Sequence, residues 1–178
     1  MKSKRVTITL HSENEREQQT RDQLIRLLHQ YPLDKWLFTT EVRIQSMVQP
    51  HSHPVLTLNT RQLADDDGLL GTFLHEQFHW HTENQLSAVE AAITDFRTIW
   101  PEVPVGPPEG AKSEFSSYLH LIICLWEHQA LNELIGTERA IRVIDNRGYY
   151  TWIYRNAWEH KEQITAILNR HRLRLPAN

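Results

Sequence analysis

The sequence predicts an α+β fold, mainly helical, with a small β-sheet near the N-terminus. Three observations predict it. The stretches RVTITLH, WLFTTEVRIQ and VLTLNT are rich in β-branched or aromatic residues, and all lie in the first third of the chain. Beyond them, apolar residues recur at helical spacing almost to the C-terminus. The 178 residues, 40% hydrophobic, contain no repeat or low-complexity tract and no linker that would divide them, so one domain spanning 1–178 is expected.

RVTITLH alternates and reads as the first strand. Ser12 and Glu15 are spaced as a capping box for the helix that follows. Leu24, Leu27, Leu28 and Tyr31 share one face of that helix, and Pro32 ends it. WLFTTEVRIQ and VLTLNT are two further strands, joined by the turn-like QPHSHP. Asp65, Asp66 and Asp67 then favour a helix start, and Leu70, Leu74 and Phe78 give that helix an apolar stripe.

LSAVEAAITDFRTIW is the next helix, with Ser87 available as its cap. PEVPVGPPEGAK, with four prolines and two glycines, must be a loop. Long irregular segments of this kind often serve as lids or binding loops. SEFSSYLHLIICLWEHQALNELIG is a nearly all-apolar helix stopped by Gly136. A short helix over TERAIRVIDN, an aromatic segment RGYYTWIYRNAW and a last helix over EHKEQITAILNRHRL complete the chain.

Composition excludes several roles. Nineteen basic residues against 22 acidic ones leave a net charge of −3, and the two signs are interspersed, so no field is offered to nucleic acid. A single cysteine, Cys124, rules out an internal disulfide and suits a reducing compartment. The apolar run near the start is about five residues long, too short for a signal peptide. No stretch approaches the roughly 20 apolar residues that cross a bilayer. The expectation is a cytoplasmic protein with neither a nucleic-acid nor a membrane partner.

Residues 73 to 81 read FLHEQFHWH. His75 and His79 are four apart, so on a helix their rings lie one above the other. Two imidazoles placed in this way grip one Zn²⁺. Glu76, one position on, projects beside the ion, where it is placed to act as general base toward a zinc-activated water. His81 falls two positions beyond His79 and points elsewhere on the helix. Glu76 and His79 also satisfy the Glu-x-x-His pattern of di-iron proteins. That site needs two such motifs, and the chain has one.

The motif resembles the HExxH signature of the zincin superfamily of metallopeptidases, in which an edge strand leads into the active-site helix. The resemblance spans roughly residues 36 to 135 and implies a zincin-like fold with a third protein ligand from a later helix. Two residues of LHLIICLWEHQALNELIG qualify, His120 and Glu127. They share one helical stripe but stand about 10 Å apart along the axis, too far to bind one ion together. Glu127 is favoured by its likeness to the glutamate helix of gluzincins, since Ala130 and aliphatics follow it. His120 is favoured by ligand type. The chain departs from the gluzincin pattern in having Leu131, not an acid, four residues after Glu127. It also lacks the metzincin extension after His79.

By the same resemblance, a downstream Tyr150, Tyr154 or Arg155 would stabilise the oxyanion, with Tyr154 paired with Glu76 as the catalytic set. His51 and His53 read as loop residues. The expected function is a zinc metallopeptidase acting on a peptide or protein substrate. The alternative is a non-catalytic zincin-like protein that binds metal or a partner.

Overall fold

The computed structural model describes residues 5–176. The basic start of the chain, residues 1–4, on which part of the signal-peptide reading fell, lies outside them. The described residues form an α+β structure with three strands and seven α-helices. In chain order these are β1 (Thr7–Leu10), α1 (Glu15–Gln30), β2 (Glu41–Ile44), β3 (Leu56–Leu58), α2 (Asp66–Glu83), α3 (Leu86–Ile99), α4 (Glu114–Ile135), α5 (Thr137–Asp145), α6 (Thr151–Glu159) and α7 (Lys161–Arg170). None of these helices is long and apolar enough to cross a membrane.

The sheet is parallel with strand order β1-β2-β3. Thr7 pairs with Glu41 and Val42 with Leu56. QPHSHP therefore does not close a hairpin. WLFTTEVRIQ yields only the four residues of β2, because its first residue, the buried Trp36, closes a 3-10 turn at Asp34–Trp36 and residues 37–40 are irregular. β3 is an edge strand, and it leads into α2.

The first helix starts two residues later than the expected capping box. Asn14 is its cap, accepting from the Glu17 N–H at 3.0 Å. The buried Glu17 carboxylate instead takes the Ser12 and Ser46 N–H groups at 2.7 and 2.9 Å, which ties α1 to the end of β2. Similarly, Gln85 rather than Ser87 precedes α3. The aromatic segment 147–158, left without an assigned element by its sequence, contains α6.

Two long helices, α2 and α4, pack against each other at the centre of the fold, and α3, α5, α6 and α7 pack around α4. This explains why α4 is apolar on nearly every side: Leu121, Ile122, Ile123, Leu125 and Leu131 are all buried. Its stop is Gly136, whose φ of +81° is a backbone setting that glycine adopts without strain. At the start of α2 the three aspartates divide their work. Asp65 caps the helix through the Gly68 N–H, Asp66 pairs with Arg26 of α1, and Asp67 pairs with Arg139 of α5. They anchor the helix to its neighbours and are accounted for as helix-start charges.

Candidate metal centre

Helix α2 presents its HExxH residues in two directions. Gln77 is fully buried on the sheet side. Its Oε1 accepts from the Phe38 and Thr39 N–H groups at 2.8 and 3.0 Å, and its Nε2 donates to the Thr39 carbonyl at 2.9 Å. Phe78 fills the core. These two intervening residues dock the helix, so the other face is left to His75, Glu76 and His79.

His120 of α4 faces them. The ring centroids of His75, His79 and His120 stand 5.3, 5.3 and 5.0 Å apart, nearly an equilateral triangle. One nitrogen from each ring lies within 4.8 Å of the others. A tetrahedral zinc with nitrogen ligands at about 2.0–2.1 Å holds them roughly 3.3 Å apart, so the triangle needs only a small inward closure.

Hydrogen bonds fix which nitrogens are free. His75 Nδ1–H donates to Glu127 Oε2 at 2.8 Å, and His120 Nδ1–H donates to the Ser116 carbonyl at 2.6 Å. Both acceptors can only accept, so each ring donates through Nδ1 and has Nε2 outside that hydrogen bond. Burial, then the neighbouring His75 and His120, drives the pKa of His79 down to about 2. Burial and His75 take His120 to about 3. Both rings are thus neutral donors at ordinary pH.

Glu127 stands on the other side of His75. It is fully buried and accepts from His75, from Tyr154 Oη at 2.7 Å and from Arg147 Nη2 at 2.8 Å. Burial alone would raise its pKa. Arg147 and the hydrogen bond from His75 outweigh it and hold the carboxylate at about 2. Gly71 makes this arrangement possible. It lies four residues before His75 on α2, and a Cβ there would come within 2.8 Å of Arg147 Nη2 and 3.1 Å of Glu127 Oε1.

The structure therefore brings both candidate third ligands to the same imidazole, one at each edge. His120 lies on the side shared with His79. Glu127 is already engaged as the acceptor that orients His75. A second trio, His75, Cys124 and Glu127, also comes within 4.8 Å. It is a poor cation site. Burial pushes the Cys124 thiol well above its ordinary range, and the Arg147 guanidinium occupies the space beside the carboxylate.

A cleft of about 380 Å³ opens beside His75. Gln49, Asn59, Arg61 and Thr72 line it together with Glu76 and Tyr150. Burial raises the Glu76 carboxyl above the ordinary range, with His75 pulling the other way. That direction suits a group that must take up and release a proton. Tyr150 has a left-handed backbone at φ +56° just before α6, and its ring stands 4.4 Å from that of His120. Burial lifts its phenol to about 12, so it stays a donor.

Tyr154, expected in the catalytic set, is buried behind His75 and spends its hydroxyl on Glu127. Arg155 lines a separate pocket between α4, α5 and α6. Residues 101–112 do not line the cleft, since their loop folds onto the start of α4, where Ser117 Oγ donates to the Pro104 carbonyl at 2.6 Å. His81 stacks on Phe38, away from the triangle, and donates to the Arg174 carbonyl at 3.0 Å. Arg147 and Gly71 were not singled out from the sequence. Neither belongs to a motif, and only the folded contact with Glu127 reveals them.

The site has a pH signature in the metal-free protein. In the unfolded chain, His79 and His120 protonate near 6.5 and Glu127 near 4.5; in the fold they do so only at about 2, 3 and 2. Between those limits the unfolded state binds more protons, so stability falls as pH falls. The histidines act first, below pH 6.5, and Glu127 adds its loss below 4.5. Melts of metal-free protein followed by circular dichroism should lose Tm continuously across this range. A flat profile would contradict the buried neutral histidines.

Compared with protein-family models, curated proteins and solved structures, the chain matches none of them.

Proposed function

We propose that the chain is a zinc-dependent hydrolase of the zincin type that cleaves peptide bonds. One observation carries the reading: His75, His79 and His120 each offer a ring nitrogen within 4.8 Å of one another, and Glu76 lines an open cleft together with His75. His75, His79 and His120 would hold the ion. A set of imidazoles fits zinc, and the hydrogen bonds on Nδ1 of His75 and His120 leave their Nε2 atoms for such an ion. The placement of edge strand β3 before the HExxH helix also supports the zincin reading.

When bound, the metal supplies Lewis acidity, which lowers the pKa of water and polarises a carbonyl. The protein supplies the rest. Glu76 takes the proton of the attacking water and hands it to the departing amine nitrogen. Tyr150 offers a protonated hydroxyl to the oxygen that gains charge. Glu127, Arg147 and Tyr154 keep His75 in one orientation and one tautomer.

The test is cleavage of a mixed peptide pool by zinc-loaded protein, read by mass spectrometry. Wild type should cleave and a chelator should stop it. Glu76→Gln should keep the metal and lose activity by about 10²–10⁴-fold, the usual contribution of a general base. No cleavage by fully zinc-loaded wild type would sink the hydrolase reading.

A further inference from the structure

We infer that the cleft selects a substrate bearing a carboxylate, held by the Arg61 guanidinium. This rests on the hydrolase reading and names the substrate class for the same site.

Arg61 follows β3 and lines the cleft with His75 and Glu76. Its backbone is fixed, because its N–H donates to Asn59 Oδ1 at 3.0 Å while Asn59 Nδ2 donates to the Val48 carbonyl at 2.9 Å. Its Nη1 donates only to a neutral acceptor, Gln49 Oε1, at 3.2 Å. Among the described residues Arg61 forms no ion pair, and no other arginine lines the cleft. It is thus an exposed guanidinium at the cleft, steadied by one hydrogen bond and with most of its five donors unassigned.

Few carboxylates compete for it. The nearby Glu83 carboxylate is spent on His53 at 2.5 Å. Among the described residues Glu76 is the only carboxylate lining the cleft.

The sheet edge gives a second reason for side-chain recognition. An exposed edge strand can bind a peptide by main-chain pairing. Here the Thr57 N–H and carbonyl, which point outward from β3, are both taken by the backbone of His51, at 2.7 and 3.0 Å. A peptide in the cleft obtains no pairing at Thr57. Its register must come from side chains or a chain end, and a planar guanidinium matched to a carboxylate supplies a directional contact. An Asp or Glu near the scissile bond and a free C-terminus both present such a carboxylate.

The experiment measures peptide binding to zinc-loaded Glu76→Gln protein by fluorescence anisotropy. The probes are N-acetylated hexapeptides with one backbone sequence, carrying Glu or Gln at successive positions and ending in a free acid or an amide. At least one carboxylate form should bind about tenfold or more tighter than its amide twin, as expected of a charge-assisted pair. Its position distinguishes an acidic side chain from a C-terminus. Arg61→Glu in the same background should reverse the preference toward Lys-bearing peptides. Equal binding of acid and amide forms, no binding of any of them, or a preference that survives Arg61→Glu would overturn the inference. Cleavage of neutral peptides by wild type, with no acid preference, removes this inference and keeps the hydrolase reading. Acid-selective binding without cleavage does the reverse.

Discussion

Purified with zinc in the medium, the protein will hold about one ion per chain, and His120→Ala will lose it along with His79→Ala. The expectation follows from the triangle of rings. Removing either histidine leaves two protein ligands, and a two-ligand site does not retain zinc against a chelator. Glu127→Gln gives the contrasting result. The amide still accepts from His75 Nδ1–H through its oxygen, so the three nitrogens stay in place, but a neutral acceptor makes the imidazole a weaker base. Loss of such a partner typically costs 10–100-fold in metal affinity, not the site itself. Zinc content by elemental analysis, followed by competition with a graded chelator, separates the two outcomes. Full zinc in His120→Ala with none in Glu127→Gln would make Glu127 the third ligand.

The fold class was legible because its signals are local. Alternation in RVTITLH and VLTLNT, the stripe Leu70, Leu74, Phe78 and the apolar length of α4 each need only a few neighbouring residues. The aspartates at 65–67 read correctly for the same reason. What failed was local competition that only the fold decides. Ser12 and Glu15 have capping-box spacing, yet Asn14 caps the helix and Glu17 takes both the Ser12 N–H and, across the fold, the Ser46 N–H. Trp36 looked like part of a strand until core burial turned its segment into a 3-10 turn.

Within the site, His75, Glu76 and His79 were visible because their spacing on one helix is itself the geometry. The choice between His120 and Glu127 was not. The two are seven apart on one stripe, so both point at α2, and sequence spacing says nothing about which edge of the His75 ring each one meets. Arg147 lies beyond α5, in a segment without periodicity, and it decides that Glu127 is a balanced carboxylate. Tyr154 and Tyr150 pose the same problem. They are four apart, yet the left-handed backbone at Tyr150 turns one ring to the triangle while Tyr154 goes behind it.

The second large effect is on stability. Arg147→Met should destabilise the metal-free protein by about 3–5 kcal/mol, the usual consequence of leaving a buried charge without its partner. The magnitude is large because Glu127 has no exposure and its other two partners, His75 and Tyr154, are not permanent cations. Protonating Glu127 would relieve the charge but would set a new proton against the donors of His75 and Tyr154. The double variant Glu127→Gln with Arg147→Met should recover much of the loss, since an uncharged pair no longer has to be solvated by the interior. Metal affinity should not recover with it, because His75 keeps only the weaker amide acceptor. Denaturant unfolding of both variants, set beside their chelator competition curves, reads the two effects separately. If the double variant is no more stable than Arg147→Met, the cost lies in lost packing of the arginine stem and not in an orphaned charge. Gly71→Ala supplies an independent check, because its methyl would press on Arg147 Nη2 and Glu127 Oε1 without altering either charge. If the pair is what orients His75, that single methyl should weaken zinc binding although it touches no ligand.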